Sequence, residues 1–354
     1  MDKIYGVIDS ADIADGSKAL YKRQIKKLYD KLPKKTFTIL KDVPTVQKTI
    51  NEIYTNKESQ KTMYNAVIVI TRLYKGLPNT LYEEYRKIRD ELKGEIKEKK
   101  SDNVVEDPNK WMSLDELRGV PTMIQREIEN RFGSLFLSKE KYDALTKPQR
   151  IRYVRLFLKW GFIYIVINYP LRLDYFNLPL SKTDANYEPQ RGSVAADKSA
   201  GNYMLRDGDK LTLYLNKFKN VKSMGAQTIE YDDPMILNYL DQLEVIFGTK
   251  PTHLMWQVVK DEIQLFCRKE VYSHHITNII KKYTSKHISN NTIRKIWETE
   301  LINSPEYRQM TNKEKNKAHK KLLHSTSTAN EAYNKVHKKV RQMKLCKCCG
   351  QVVK

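Results

Sequence analysis

The sequence predicts a mainly α-helical protein with a small β-sheet, divided into a helical N-terminal domain and a larger α+β domain. Three observations support this fold class. Apolar residues recur at helical spacing over most of the 354 residues. One short region alternates apolar and polar residues around an Asp-Gly turn, as β-hairpins do. A strongly charged stretch at 93–107 interrupts the helical pattern and indicates a domain boundary.

The first predicted domain covers residues 1–100 and contains four amphipathic helices. The first helix places apolar side chains on one face at i, i+4, i+7 and i+11, beginning at Tyr21 and ending at Leu32. The same period recurs after Pro44 and along 81–96, and the continuously apolar stretch 63–73 is expected to be the buried helix. The outer faces of the first two helices carry Lys22, Arg23, Lys26, Lys27 and Lys48.

A linker at 101–112 and a second domain at 113–340 follow, with a basic, Cys-containing tail at 341–354. The second domain is expected to begin at a capping box formed by Ser113 and Glu116. Thr146 and Gln149 give a similar helix start, before an apolar-rich helix from Ile151 to Ile167.

The β-structure of the second domain is predicted from alternation. Residues 203–215 form a hairpin around Arg-Asp-Gly-Asp, and 227–231 form a further strand. The polar stretch 181–201 is expected to be a loop, and helical patterns dominate from residue 234 onward.

Amino-acid composition favours a protein with a polyanionic partner and argues against membrane and secreted proteins. Lys and Arg number 64 against 42 Asp and Glu, a net charge of +22, so a polyanionic partner is expected, with double-stranded DNA first. Basic composition also accumulates through Lys- and Asn-rich codon usage, so charge alone does not separate a DNA-binding protein from an ordinary enzyme. The longest apolar runs are far shorter than the about 20 residues that span a bilayer, and the first residues lack a signal-peptide pattern. We therefore expect an intracellular protein without a membrane partner.

Three segments of the predicted second domain carry residues suited to phosphoryl chemistry. Arg172 follows an apolar helix in NYPLRLDYFNL, and Arg294 lies in ISNNTIRKIW. In LLHSTSTANEAY, His324 precedes Tyr333 by nine residues. Guanidinium groups are permanently charged and bind phosphate oxygens in a bidentate manner. A positioned Tyr hydroxyl can attack phosphorus once its proton is removed.

In this order and with this last spacing, the segments resemble the catalytic domain of the tyrosine recombinase (phage-type integrase) family. The resemblance implies that Arg172 and Arg294 hold the scissile phosphate. It implies that His324 adds a third donor and that Tyr333 is the nucleophile, forming a 3′-phosphotyrosyl link. No metal and no cofactor are expected.

Two further site residues follow from the resemblance. The family has a Lys on a β-hairpin between the two Arg segments, and Lys219 fits best by position as the acid for the leaving 5′-oxygen, with Lys217 and Lys222 left open. Strand alternation is expected to point Lys217 and Lys219 to the same face. Asn291 stands where the family has the His of H-x-x-R, and an amide is no general base.

The implied function is a site-specific DNA recombinase that acts as a homotetramer on two DNA sites. The four N-terminal helices correspond to the family's core-binding domain. The Lys- and Asn-rich composition looks like that of recombinases of virophages and large eukaryotic DNA viruses. Integration of a viral or mobile genome, in a host nucleus or viral factory, is then the expected use.

Two alternatives remain open. A type IB topoisomerase shares the two Arg, the Lys, the His and the Tyr, and would relax supercoils as a monomer. A catalytically inactive DNA-binding protein is the other, and Asn291 leaves room for it. The tail residues His337, Cys346, Cys348 and Cys349 lack usual zinc-finger spacing, so reduced thiols are expected there.

Overall fold

A computed structural model of the chain describes residues 1–13, 15–33, 36–103, 109–181 and 201–323. The chain divides into two compact units, Met1–Asn103 and Val104–Lys354. It is mostly α-helical with a small sheet, which confirms the predicted fold class at this level. Across the described residues, no helix is long and apolar enough to cross a membrane.

Unit 1 is entirely helical in its described part. Its elements are α1 (Asp2–Ser10), α2 (Asp15–Lys31), a 3-10 helix (Phe37–Lys41), α3 (Val43–Ile53), α4 (Lys57–Leu73) and α5 (Asn79–Asn103). The prediction of four helices missed α1 and the 3-10 helix. In α1 only Ile4 and Ile8, one turn apart, are buried, and a nine-residue helix with two core positions carries little periodicity. Helix α5 continues through Asn103, so the predicted linker at 101–112 begins within it.

The core of unit 1 is built around α4. Met63, Ala66, Val67 and Ile70 of this helix are fully buried, which confirms the prediction of a buried helix here. Its last residue, Leu73, is instead 41% exposed. These four residues follow the i, i+3, i+4, i+7 pattern of one helix face. They are buried because that face packs into the core, and not because the whole stretch is apolar.

Unit 2 is a helical unit with two small sheets. Its helices are α6 (Leu114–Phe132), α7 (Lys139–Asp143), α8 (Lys147–Asn168), α9 (Val221–Met224), α10 (Pro234–Phe247), α11 (Lys269–Thr284), α12 (Asn290–Asn303), α13 (Pro305–Gln309) and α14 (Asn312–Lys321). The capping box of Ser113 and Glu116 starts α6 as predicted. In α8, the Gln149 Oε1 atom accepts a hydrogen bond of 2.8 Å from the Thr146 N–H.

The larger sheet has four strands in the order β1-β2-β3-β4, namely β1 (Leu180–Ser181), β2 (Tyr203–Asp207), β3 (Lys210–Leu215) and β4 (Gln227–Tyr231). Strand β1 runs parallel to β2, and the other neighbours are antiparallel. The predicted hairpin is confirmed as β2 and β3, with Gly208 at a φ of 59° in the turn, and β4 is the predicted additional strand. Most of the predicted loop at 181–201 lies outside the described residues.

A second hairpin, β5 (Gln257–Val259) with β6 (Glu262–Gln264), was not predicted. Its two turn residues, Lys260 and Asp261, both have positive φ, at 49° and 66°. Two-residue hairpin turns of this kind usually carry Gly or Asn. The sequence therefore lacks the signal by which such a turn is recognised.

Helix α8 is the centre of unit 2 and positions the candidate site. It is buried on nearly all sides, from Tyr153 to Ile167. Gly161 allows the Tyr239 ring to pack directly on its backbone, because a Cβ there would lie 2.1 Å from Tyr239 Cε2. The rigid end of this helix fixes the starting point of the loop that carries Arg172.

Candidate active site

Arg172 lies in the loop that follows α8. The loop is held by the buried Tyr175, whose hydroxyl donates to the Tyr169 carbonyl at 2.9 Å and lies 2.7 Å from the Tyr231 hydroxyl of β4. Arg172 itself is half-buried. Its Nη1 atom is buried and finds no hydrogen-bond partner among the described residues. An unmet guanidinium N–H inside a protein costs about 1–3 kcal/mol, a cost that an anionic ligand would remove.

Helix α12 brings Arg294 to this loop. Ser289 caps the helix by accepting from the Thr292 N–H at 3.2 Å. The next residue, Asn290, is buried, and its Nδ2 atom donates to the carbonyls of Leu171 at 3.1 Å and Arg172 at 2.5 Å. One amide group therefore joins the two segments that carry the predicted arginines.

Arg294 is 1% exposed, an unusual degree of burial for a charged side chain. Its Nη2 atom donates to the carbonyl oxygen of Leu322, just after α14. A buried charge of this kind needs charged or polar neighbours to be stable.

Asp174 supplies a carboxylate to the same cluster, and sequence reasoning did not select it. Burial raises the pKa of Asp174, while the positive charges of Arg294, Arg172 and Lys269 act in the opposite direction, in that order of strength. Its Oδ2 atom is buried, with no hydrogen-bond partner in the described part of the chain. Asp174 is thus within electrostatic range of three cations. The available signal was the position of Asp174, two residues after Arg172.

The three candidate lysines lie between β3 and β4. Strand β3 ends at Leu215, so Lys217 and Lys219 are in an irregular connection and Lys222 is in α9; all three are exposed. Strand alternation therefore does not set the faces of Lys217 and Lys219, and that prediction is wrong. The Asn202 Oδ1 atom fixes the start of this connection by accepting from the backbone N–H of Lys217 at 2.7 Å.

The same connection reaches the end of α14. The Asn220 Nδ2 atom donates to the carbonyl of Leu323 at 3.0 Å. Leu323 has a φ of 55°, a left-handed conformation in which the chain turns after the helix. Arg294 and Asn220 thus hold two consecutive carbonyls, and His324 is the next residue. His324 and Tyr333 lie outside the described residues.

Asn291 does not take part in these contacts. Its side chain is exposed on the first turn of α12, whereas the neighbouring Asn290 is buried against the Arg172 loop. The helical rotation of about 100° per residue separates the two side chains.

The basic face predicted on unit 1 is partly free of ion pairs. Lys22 pairs with Asp9 at 2.6 Å, and Lys27 lies over the Tyr54 ring. The remaining members of the set are exposed and have no ion-pair partner within the described ranges; they are Arg23, Lys26 and Lys48.

Comparisons with protein-family models, with curated proteins and with solved structures give no match for this chain. The likeness to tyrosine recombinases thus rests on the residues quoted above. Where side chains are described, no group of three or more His, Cys, Asp or Glu is arranged to hold a metal ion. The Cys-containing tail lies outside that part of the chain.

Proposed function

We propose that the protein is a site-specific DNA recombinase, an integrase that cleaves and rejoins DNA through a 3′-phosphotyrosyl intermediate. The observation that carries the proposal is the convergence of four separate segments in unit 2. These are the Arg172 loop, the start of α12 with Arg294, the Lys-bearing β3–β4 connection and the residues just before His324.

The charges of this cluster suit a phosphodiester under attack. Negative charge collects on the non-bridging oxygens of the phosphate as the attacking oxygen approaches. Arg172 offers a buried N–H without a partner in the described structure, and Arg294 adds a second permanent charge held by fixed contacts. The negative charge of Asp174 offsets part of the repulsion between the cations.

The proposed reaction is a balanced transesterification. The Tyr333 oxygen forms a bond to phosphorus as the bond from phosphorus to the 5′-oxygen breaks. Tyr333 gives its proton to solvent water, and the departing 5′-oxygen gains one from Lys219, or from Lys217 or Lys222. Attack by a 5′-hydroxyl of another strand reverses these steps and needs no external energy source.

Unit 1 supplies the DNA-holding surface in this proposal. Arg23, Lys26 and Lys48 are exposed and available to phosphates. Each phosphate contact releases counterions and makes the affinity depend on salt. Strand exchange between two DNA duplexes would use four copies of the chain.

The proposal is tested by trapping protein on DNA. A pool of nicked duplexes of randomised sequence is incubated with the protein, and covalent adducts are recovered and sequenced. The parent and a Tyr214→Phe control should form adducts, whereas Tyr333→Phe should form none and keep its DNA affinity, because it loses only the attacking oxygen.

Each other outcome has a definite meaning. An adduct formed by Tyr333→Phe would refute the assignment of the nucleophile. A parent protein that binds DNA and never forms an adduct would be an inactive DNA-binding protein. Adducts with relaxation of supercoils by a monomer, and without strand exchange between two duplexes, would indicate a topoisomerase.

A further inference from the structure

Helix α14 is attached to unit 2 in an unusual way. Its sequence, NKEKNKAHKK, is almost wholly polar, and His319 is its single buried residue. On another side, Glu314, Lys317, Ala318 and Lys321 line a cleft of about 530 Å³, whose other lining residues are largely apolar. A helix of this composition gains little from the hydrophobic effect, so its position depends on specific polar contacts.

His319 makes such contacts with two other helices. Its Nε2 atom lies 2.6 Å from the Tyr307 hydroxyl of α13, and its Nδ1 atom lies against Glu298 Oε1 of α12. His319 and Glu298 are 0% exposed and Tyr307 is 7% exposed. Lys315 of α14 also lies over the Tyr307 ring, 5.2 Å from its centroid.

These contacts are adjacent to the candidate active site. On α12, Glu298 follows Arg294 by four residues, so both lie on one face of the helix. After α14, Leu322 follows His319 by three residues and accepts from Arg294. Two cross-links, about one helical turn apart, therefore join α12 to the end of α14.

We propose that Glu298, His319 and Tyr307 form a buried polar clip that holds the end of α14, and with it the Leu322 carbonyl, against Arg294. The catalytic part of this inference rests on the proposed function. The three residues act as positioning residues through α14. None of them belongs to the six residues taken from the family resemblance.

The physical basis is the cost of burying polar groups. A buried carboxylate is stabilised by close polar partners, so Glu298 favours a position of α14 that keeps His319 beside it. The Tyr307 hydroxyl fixes the imidazole at its second nitrogen. With no broad apolar face to hold it, the helix would shift along α12 when the clip is lost.

Two variants break the clip in different degrees. Tyr307→Phe removes a single hydroxyl and preserves the ring, and His319→Leu removes both polar contacts. Glu298→Gln keeps an oxygen that can accept from His319 and is the conservative variant. Tyr153→Phe is the matched control, because the buried Tyr153 hydroxyl also makes one hydrogen bond, of 2.9 Å to the Leu135 carbonyl.

The first measurement is hydrogen–deuterium exchange of the full-length protein over residues 312–323. Tyr307→Phe should speed exchange there about 2- to 10-fold, the equivalent of one net hydrogen bond. His319→Leu should have a larger effect, and Tyr153→Phe should leave this peptide unchanged. Unchanged exchange in both clip variants would overturn the clip.

The second measurement is the single-turnover rate of adduct formation at saturating DNA, compared with the DNA dissociation constant. A displacement of about 1 Å at a reacting group can cost about 100-fold in rate. Tyr307→Phe should therefore slow adduct formation at least about tenfold, and His319→Leu should slow it more. Glu298→Gln should be near the parental rate, and DNA affinity should be unchanged in all variants.

The two measurements separate the two proposals. If Tyr307→Phe and His319→Leu slow adduct formation no more than Tyr153→Phe does, the positioning role would be overturned. A parent that forms no adduct at all would refute the proposed function and with it the catalytic role of the clip. The exchange data would still decide whether the three residues hold α14.

Discussion

Replacement of Asn290 by Ala tests whether one amide group assembles the candidate active site. Asn290 is 4% exposed, and its Nδ2 atom donates to the Leu171 and Arg172 carbonyls at 3.1 and 2.5 Å. The variant removes both hydrogen bonds and leaves the backbone of α12 intact. It should loosen the loop that carries Arg172 without changing any residue assigned to the chemistry.

The expected magnitude follows from these two bonds. Each contributes about 1 kcal/mol net, so their loss costs about 2 kcal/mol in the free energy of unfolding of unit 2. In a domain of this size, 1 kcal/mol corresponds to about 2–4 °C in melting temperature. We expect the unfolding transition of unit 2 to fall by about 4–8 °C, twice that figure.

The neighbouring residue provides a matched control. Asn291 has the same side chain, on the same helical turn, and is exposed. Asn291→Ala should change the free energy of unfolding by no more than about 0.5 kcal/mol. Differential scanning calorimetry of the full-length chain, with adduct formation on nicked DNA measured in parallel, compares the two variants directly.

The effect on DNA cleavage should follow the same order. Asn290→Ala should slow adduct formation by up to about 100-fold, because Arg172 loses its fixed position relative to Arg294. A larger loss of cleavage in Asn291→Ala than in Asn290→Ala would refute this reasoning. It would favour the residue chosen by alignment with the family's H-x-x-R motif.

Three further predictions follow from the site. Burial raises the pKa of Asp174, so its carboxylate is neutralised early as the pH falls. Asp174→Asn should bind duplex DNA more tightly than the parent at neutral pH. This difference in affinity should vanish as the pH falls through the raised pKa. A constant affinity ratio across that pH range would contradict the placement of Asp174 beside the phosphate. Lys219→Ala should cleave an ordinary phosphodiester at least about 100-fold more slowly and a 5′-bridging phosphorothiolate near the parental rate, whereas Arg172→Ala should be slow on both. If the phosphorothiolate restores the rate of Lys217→Ala or Lys222→Ala and not that of Lys219→Ala, the restored position would be assigned as the general acid instead. Adduct formation should persist in excess EDTA, and loss reversed by Mg²⁺ would overturn the mechanism.

Local periodicity was sufficient to predict much of the secondary structure. Helices α2 to α5 of unit 1 carry apolar residues at helical spacing, α8 of unit 2 is apolar along most of its length, and the β2–β3 hairpin has an Asp-Gly turn. Such signals depend on neighbours in sequence, and a single chain contains them in full. Helix α1 and the β5–β6 hairpin were missed because one is too short to show a period and the other turns through Lys260 and Asp261.

Through its resemblance to tyrosine recombinases, the sequence also selected Arg172 and Arg294, and both lie in unit 2. Only the tertiary structure decided which other side chains lie beside these two arginines. Asn290 and Asn291 are identical as sequence, and the rotation of α12 buries one and exposes the other. Asp174 and His319 gain their roles from groups distant in the chain: Arg294 for the first, Glu298 and Tyr307 for the second. Burial and electrostatic pairing arise when separate segments pack together, and no local pattern in the sequence encodes them.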